Sequence, residues 1–531
     1  VPLLPSSVEE RSFLGIPNTI HRYIYVGALA LLVIGLPLSP FLTSLPQFIL
    51  AGNWLLEGGL KNKMRKFFQN KAALVLCSFF LMHLLGLLYT SHAGMDYGLE
   101  DVRKKIPLFL LPFLFSTSSV LTDKEKRMVL LCFVIAVTVA TFYGLGLLLA
   151  HKFVDIRQIS DLMDPVRQAM MQVLCGYLLI YDVFTNKRGS LISALLLLWA
   201  AWLFTYLFIM QSLTGVIIVM VITALLLIIW AFKKLKVKSI LSGILVLATA
   251  AFIIIGSIGY VTWFRYHYFP KPDKLEFSKL DKATVGGRAY HNDTICYLTE
   301  NGHYAYIYVC EDELRRAWNA RSKRDYDGAD AKGNKLSQTL IRYMTSKGLR
   351  KDSVGMQQMT ADDIKAVEES IPNYQYTSLT SIQYRLYQVF WEIRDSHHGG
   401  SANGHSLTQR FEFWRAATGI IKKHWLAGVG TGDVRIAFNK QYDEMNSTLD
   451  RDSRLRSHNQ YLEIGVAFGI IGIIWFIFNL WYPAFQTGKI HTYGYFIFWV
   501  IMMIAILTED TLETQAGATF YALFNAFFLF L

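Results

Sequence analysis

Three short stretches hold residues that can do chemistry. His458 stands in Ser457-His-Asn-Gln-Tyr-Leu462, close after Arg451, Arg454 and Arg456 and directly before Asn459. An imidazole titrates near neutral pH, so a neutral His458 can accept a proton. Ser457 reads as the N-cap of an apolar helix, which puts His458 in the first turn. The positive helix end disfavours an imidazolium there, so the ring is expected to stay neutral. Arg410 lies in Gln409-Arg-Phe-Glu-Phe-Trp414. Around it Leu407, Phe411, Trp414, Thr418 and Ile421 recur at helical spacing. That pattern predicts an amphipathic helix over 406–424 with Arg410 one residue off its apolar stripe. Gly428-Val-Gly-Thr-Gly-Asp433 follows. It lacks the strand and the spacing of a dinucleotide fingerprint. It reads as a helix stop and tight turn, or as a nest of N–H groups at Gly430 near a phosphate. Taken singly, an interfacial histidine and a snorkelling arginine are the ordinary readings. Their company is what singles them out.

The elements that must position these residues are set by composition. The chain has 531 residues, 53% hydrophobic and 17% charged. A soluble chain carries about 25% charged residues, and a disordered one has low hydrophobicity. Both classes are excluded. A helix needs about 20 apolar residues to cross a bilayer. Apolar runs fall at 24–42, 44–57, 72–91, 105–120, 128–150, 168–185, 190–208, 215–232, 239–263, 458–482, 492–508 and 515–531. The expected fold is therefore an all-α polytopic membrane protein of about twelve transmembrane helices. Pro37, Pro40 and Pro46 make the first two runs a tight hairpin. The first run starts late and has no evident cleavage site, so no cleavable signal peptide is expected.

The net charge of +12 mostly reports topology. Lys61, Lys63, Arg65, Lys66 and Lys71, with Lys124, Lys126, Arg127 and Lys233–Lys238, load one set of short loops. The other set holds few, among them Arg103, Lys104 and Lys105. The positive-inside rule then puts both termini in the cytoplasm. Nucleic acid is discarded as a partner. Residues 264–457 carry no span and form an outer, mostly helical domain between spans nine and ten. The expected division is a membrane domain over 1–263, a periplasmic domain over 264–457 and a membrane domain over 458–531.

Within the outer domain, Glu300-Asn-Gly302 before the alternating 303–310 reads as a hairpin pairing positions that sum to 603. That register offsets Cys296 from Cys310 and leaves their pairing open. Residues 311–321, 335–347 and 376–394 read as helices. Thr360 and Asp363 form a capping box that opens another. Asp395–His405 reads as a mobile loop. Asp325-Tyr-Asp327 has the form of a metal-binding motif but lies in a charged, solvated loop, so no metal ligand is assigned. Glu463, an acid inside a span, is a functional suspect. The acidic turn Thr508–Glu513 is expected to contact arginines of the outer domain.

The stretch Ser457-His-Asn-Gln-Tyr-Leu-Glu-Ile-Gly-Val-Ala-Phe-Gly-Ile-Ile-Gly472 resembles the signature of the O-antigen ligase and polymerase superfamily. Gln409–Trp414 followed by Gly428–Gly432 is its second block, in matching order. The resemblance implies a fold related to the C-type glycosyltransferases. It implies transfer of a glycan from an undecaprenyl-diphosphate-linked donor to the lipid A-core acceptor, in the bacterial inner membrane. The reaction so implied is inverting and needs no metal or other cofactor. His458 would be the general base and Arg410 would hold the donor diphosphate. Arg456, Asn459 and Gly430 would line the donor site. Arginine suits that role because it stays charged and binds phosphate through paired hydrogen bonds.

One departure matters. The family usually has an arginine where this chain has Leu213, in Gln211-Ser-Leu-Thr-Gly215. Arg103, Arg288 and Arg342 are the candidates to replace it, with Arg103 favoured by its place at a membrane edge. The acceptor is open between a ligase, an O-antigen polymerase and a protein O-oligosaccharyltransferase. A transporter is the rival of another class. Transporters tend to show interrupted helices at the midplane and internal repeats; these spans hold few ionisable residues, and no repeat is evident.

Overall fold

The computed structural model describes residues 15–150, 156–186, 188–236, 240–296, 298–397, 402–403 and 406–531. Eleven helices come first: α1 (Asn18–Leu38), α2 (Pro40–Leu56), α3 (Leu60–Gln69), α4 (Lys71–Leu87), α5 (Met95–Lys105), α6 (Pro107–Thr117), α7 (Asp123–Ala150), α8 (Pro165–Thr185), α9 (Ser190–Ile209), α10 (Leu213–Lys236) and α11 (Ile240–Tyr268). A short hairpin, β1 (Thr299–Glu300) and β2 (His303–Tyr304), precedes α12 (Glu311–Asn319), α13 (Leu336–Ser346), α14 (Ser353–Gln357), α15 (Ala361–Glu368) and α16 (Ser381–His397). The chain ends with α17 (Ser406–Lys423), α18 (Val434–Glu444), α19 (Gln460–Gln486), α20 (Tyr493–Thr508) and α21 (Gln515–Phe530).

Each of the twelve apolar runs falls on a helix. Among the described residues, six helices are long and apolar enough to cross a membrane: α1, α7, α9, α10, α11 and α19. The α3–α4 pair, bent by 90°, adds a seventh if it counts as one span. The chain is thus a multi-pass membrane protein. The shortfall against twelve is partly one of length. Helix α6 has 11 residues, about 17 Å at 1.5 Å per residue, against a core of about 30 Å. Helices α20 and α21 have 16 each.

Two compact units divide the chain: the described residues up to Thr223 together with Gln409–Leu531, and Ala224–Thr408. In the first unit, α1 and α2 form the expected hairpin. Ser39 caps α2 and Pro40 takes its first position, where a missing N–H costs nothing. The far ends of the pair are tied by His21 Nδ1 on Asn53 Oδ1 at 2.8 Å and Asn53 Nδ2 on the His21 carbonyl at 3.0 Å. Helix α4 packs on α6 and α19, with Phe79 stacked on Phe476 at 5.2 Å. Helix α21 is buried almost all round, through Phe520, Leu523, Phe524 and Phe527. A short helix that is apolar on every side belongs inside a bundle.

The second unit has its own core, built on Trp318, Leu340, Met344 and Val367. Thr360 and Asp363 close the expected capping box on α15. The hairpin keeps the expected register, with Thr299 opposite Tyr304 and Glu300 opposite His303. It is much shorter than the alternation over 303–310 implied. Val309 instead bridges His291 and Lys351 as an isolated residue. Cys296 and Cys310 are free thiols. Of the loop expected at 395–405, residues 398–401, 404 and 405 lie outside the described residues.

Candidate active site

Helix α17 brings Arg410 inward. The stripe it buries is Phe413, Ala416, Ala417 and Ile420, not the one centred on Phe411, which is 47% exposed. Arg410, Phe413, Ala417 and Ile420 follow each other at steps of three and four, so the arginine lies on the packed face. The sequence expectation had the helix but turned it to the wrong side. Ala416 and Ala417 let this face pack closely, while Phe411 looks outward. Nη2 of Arg410 forms an ion pair with Glu509. Phe413, one turn on, lies 5.6 Å from the His458 ring.

His458 is not in the first turn of α19. Asn459 is the N-cap: its Oδ1 accepts from the Leu462 N–H at 3.1 Å, and its Nδ2 donates to the Leu507 carbonyl at 2.9 Å. Asn459 thereby ties the start of α19 to the end of α20, which is a structural task. His458 precedes the cap with φ at 45°, in the left-handed region. That backbone is uncommon for a residue with a side chain and persists where surroundings enforce it. Here Ser457 enforces it, with Oγ at 2.9 Å from both the Asn459 carbonyl and Glu463 Oε2.

The turn at 509–513 supplies the partners of His458. Nδ1 lies 3.0 Å from Glu509 Oε2 and 3.5 Å from Asp510 Oδ1. Burial disfavours the imidazolium, but the Glu509 hydrogen bond and the charges of Asp510 and Glu509 outweigh it. The His458 pKa is raised above its ordinary value. The expectation of a ring held neutral by a helix end is therefore corrected. The ring has left the helix, and nearby carboxylates dominate.

Beneath this layer lies a second ionic layer. Arg456 meets Glu513 at 3.1 Å, Asp510 at 3.5 Å and Glu463 at 3.8 Å, and donates to Tyr97 Oη at 3.2 Å. Its charge is already matched by protein carboxylates, which suits a scaffold more than a phosphate clamp. Lys105 is 2% exposed and bonds Asp101 at 2.5 Å and Glu513 at 2.6 Å. Burial pushes the Glu513 carboxyl up, but Lys105 and Arg456 overcome this and hold it far below the usual range. In the sequence alone Lys105 reads only as a loop charge. A signal was present: several acids in a short turn between apolar helices require buried cations.

The glycine turn serves packing. The N–H groups of Val429 and Gly430 donate to the Val466 and Ala467 carbonyls at 2.9 Å each. Those of Thr431 and Gly432 donate to the Gly86 carbonyl and Thr90 Oγ1. A phosphate nest needs these donors free, so the nest reading of Gly430 is corrected. Helix α19 breaks at Gly469, with φ at 62°. The Ile470 N–H beyond the break donates to the Trp425 carbonyl at 2.8 Å. The two signature blocks thus meet at the backbone, one satisfying the polar groups that the other releases.

The remaining arginines are placed elsewhere. Arg103 on α5 is exposed and has no ion pair among the described residues. It lies two positions from both Asp101 and Lys105, so it faces away from their side of the helix. Arg288 pairs with Asp312 at 3.1 Å, and Arg342 pairs with Glu300 at 2.7 Å and covers Trp391. Both belong to the second unit. At Leu213, the helix start is capped by Ser212 Oγ on the Gly215 N–H at 3.2 Å. His458, Glu509 and Asp510 each offer a ligand atom within 4.8 Å of the others, a spacing that can hold a metal ion. Arg410 and Arg456 already engage the two carboxylates.

Residues 374–477 match one known family. That family is described as O-antigen ligase. The matched segment contains Arg410, Gly430, Arg456, His458 and Asn459, and with them both signature blocks. Members of the O-antigen ligase family are glycosyltransferase-like enzymes, either ligases or polymerases. The match supports a ligase- or polymerase-like function for this chain. Lys105, Glu509, Asp510 and Glu513 lie outside the matched residues. No curated protein matches the chain.

Proposed function

We propose that the protein is an O-antigen ligase-like glycosyltransferase. It moves a glycan from undecaprenyl diphosphate to a hydroxyl of the lipid A-core of lipopolysaccharide, with inversion and without a metal. The observation that carries the reading is one carboxylate, Glu509, shared by His458 and Arg410. Nδ1 donates to Glu509, so Nε2 is the free acceptor. As the acceptor oxygen attacks the anomeric carbon, its proton passes to Nε2. The bond from that carbon to the phosphate oxygen breaks, and the diphosphate leaves with the electron pair. Arg410 gives Nη2 to Glu509, which leaves Nε and Nη1 to meet the growing negative charge.

The reading sets the multi-pass chain in the bacterial inner membrane, with both termini cytoplasmic and His458 on the periplasmic side. Purified protein with a lipid-linked glycan and lipid A-core tests it. Transfer should be strong in the parent and lost in His458→Ala and Arg410→Ala. Near-normal transfer in both variants would sink the site. Lipopolysaccharide from a deletion strain separates the acceptors. Loss of all long glycan, with lipid-linked polymer accumulating, marks a ligase. Core carrying one repeat marks a polymerase. Intact lipopolysaccharide with unglycosylated proteins marks a protein O-oligosaccharyltransferase.

A further inference from the structure

A polar cavity lies at the far end of α4 from the glycine turn. Helix α4 touches the glycine turn through Gly86 and meets α3 at its opposite end. Its 17 residues separate the two ends by about 25 Å. The cavity holds about 810 Å³ and lies among the start of α1, the end of α2, helix α3 and the end of α6. Its lining includes His21, Arg22, Lys63, Arg65, Lys66 and Trp54.

Two of these cations are engaged. Arg22 pairs with Glu125 at 2.5 Å and donates to Ser119 Oγ at 2.6 Å. Lys63 donates to the Trp54 carbonyl at 2.6 Å and meets Glu57 at 2.7 Å. Arg65 and Lys66 stand exposed at the cavity's rim and have no ion pair or hydrogen bond among the described residues. They leave the cavity with positive charge that the protein does not neutralise. His21 gives an independent observation. It is 1% exposed, and its Nδ1 is spent on Asn53, yet its Nε2 has no partner. A buried polar atom without a partner is costly, and a bound group with polar oxygens would satisfy it.

We propose that this cavity binds a phosphate group, carried by an anionic phospholipid headgroup or by free phosphate. Arg65 and Lys66 supply the charge, and His21 Nε2 supplies a hydrogen bond. The surroundings fit a lipid. Helix α3 bends 90° from α4, and Phe68 on α3 is 64% exposed beside the basic residues. An amphipathic helix with basic and aromatic residues suits the headgroup layer. Basic pockets between membrane helices are known binders of lipid phosphates.

The full chain in nanodiscs provides the test, with thermal unfolding as the readout. Discs of phosphatidylglycerol mixed into phosphatidylcholine should raise the midpoint saturably over phosphatidylcholine alone. Arg65→Gln with Lys66→Gln should lose most of that shift. Lys61→Gln, on the same helix but outside the lining, should keep it. If inorganic phosphate added to phosphatidylcholine discs reproduces the shift, the site stands and free phosphate is its source. An equal midpoint under all three conditions overturns the proposal. So does an equal loss in Lys61→Gln, which would reduce the effect to general surface charge.

Discussion

His458 Nδ1 lies 3.0 Å from Glu509 Oε2 although 51 residues separate them. The left-handed turn at His458 aims the ring, and the end of α20 delivers the carboxylate. A carboxylate on Nδ1 fixes the tautomer and the ring orientation, so Nε2 becomes the proton acceptor. Replacing His458 with Gln keeps much of the shape and removes the base. Turnover should fall by about 10²–10⁴-fold, the usual contribution of a positioned general base. The donor KM should barely move. Single-turnover transfer with purified variant reads both, and a large rise in KM at unchanged turnover would make His458 a binding residue.

The raised His458 pKa sets a pH dependence with a definite sign. Glu509 and Asp510 favour the imidazolium, so the neutral, base-competent ring appears only above a pKa higher than about 6.5. The acid limb of kcat/KM should therefore lie above that value. Glu509→Gln removes the charge and should move the limb to lower pH while lowering the plateau. The stability the pair contributes is full below the unfolded pKa and is lost as pH rises through the folded one. A pH–rate profile of parent and variant checks this, and an unmoved limb would separate Glu509 from the titration.

Arg410 and Glu509 should act as a unit. Arg410→Ala frees Glu509 to hold the proton on His458 more tightly, beyond losing a phosphate contact. The double variant Arg410→Ala with Glu509→Gln should thus lose less activity than the product of the two single losses. Pairs in one network commonly couple by about 0.5–3 kcal/mol. Arg410→Lys should not restore activity, because an ammonium lacks the planar fork. Four kcat/KM values close the cycle, and strict additivity would refute the shared carboxylate.

Much of this architecture was legible in the sequence, in the places where local physics decides. The twelve helical segments, the α1–α2 hairpin at Pro37 and Pro40, the hairpin register and the α15 capping box all rest on neighbouring residues. The functional side of α17 was not legible from apolar periodicity. In a chain with many membrane helices the most apolar face need not be the buried one, and Phe411 is exposed while Ala416 and Ala417 are packed. The position of His458 turned on a competition between Ser457 and Asn459 for the cap. Either residue type caps well, and the contact of Asn459 with Leu507 settles it from afar. The acidic turn was expected to meet arginines, and it does meet Arg410 and Arg456. Its union with Lys105 spans 408 residues, which no spacing rule reaches.

Lys105 should matter for stability more than any arginine beside it. Its ammonium is enclosed by Asp101 and Glu513, and those side chains are themselves only 7% and 4% exposed. Lys105→Met removes the cation, strands Asp101 and leaves Glu513 with Arg456 alone, in a place water does not reach. Breaking a buried ion pair from one side costs about 3–5 kcal/mol, because the charge left behind is uncompensated. Glu513 also holds Arg456, so the loss should loosen the 509–513 turn and carry Glu509 away from His458. Arg103→Gln on the same helix, exposed and unpaired, should leave the unfolding midpoint unchanged. Thermal unfolding in detergent compares the two. The triple replacement Lys105→Met, Asp101→Asn and Glu513→Gln should recover part of the lost midpoint, since it removes the stranded charges together. Full stability in Lys105→Met alone would mean that the carboxylates shed their charge freely, and that the lower ionic layer does not hold the turn in place.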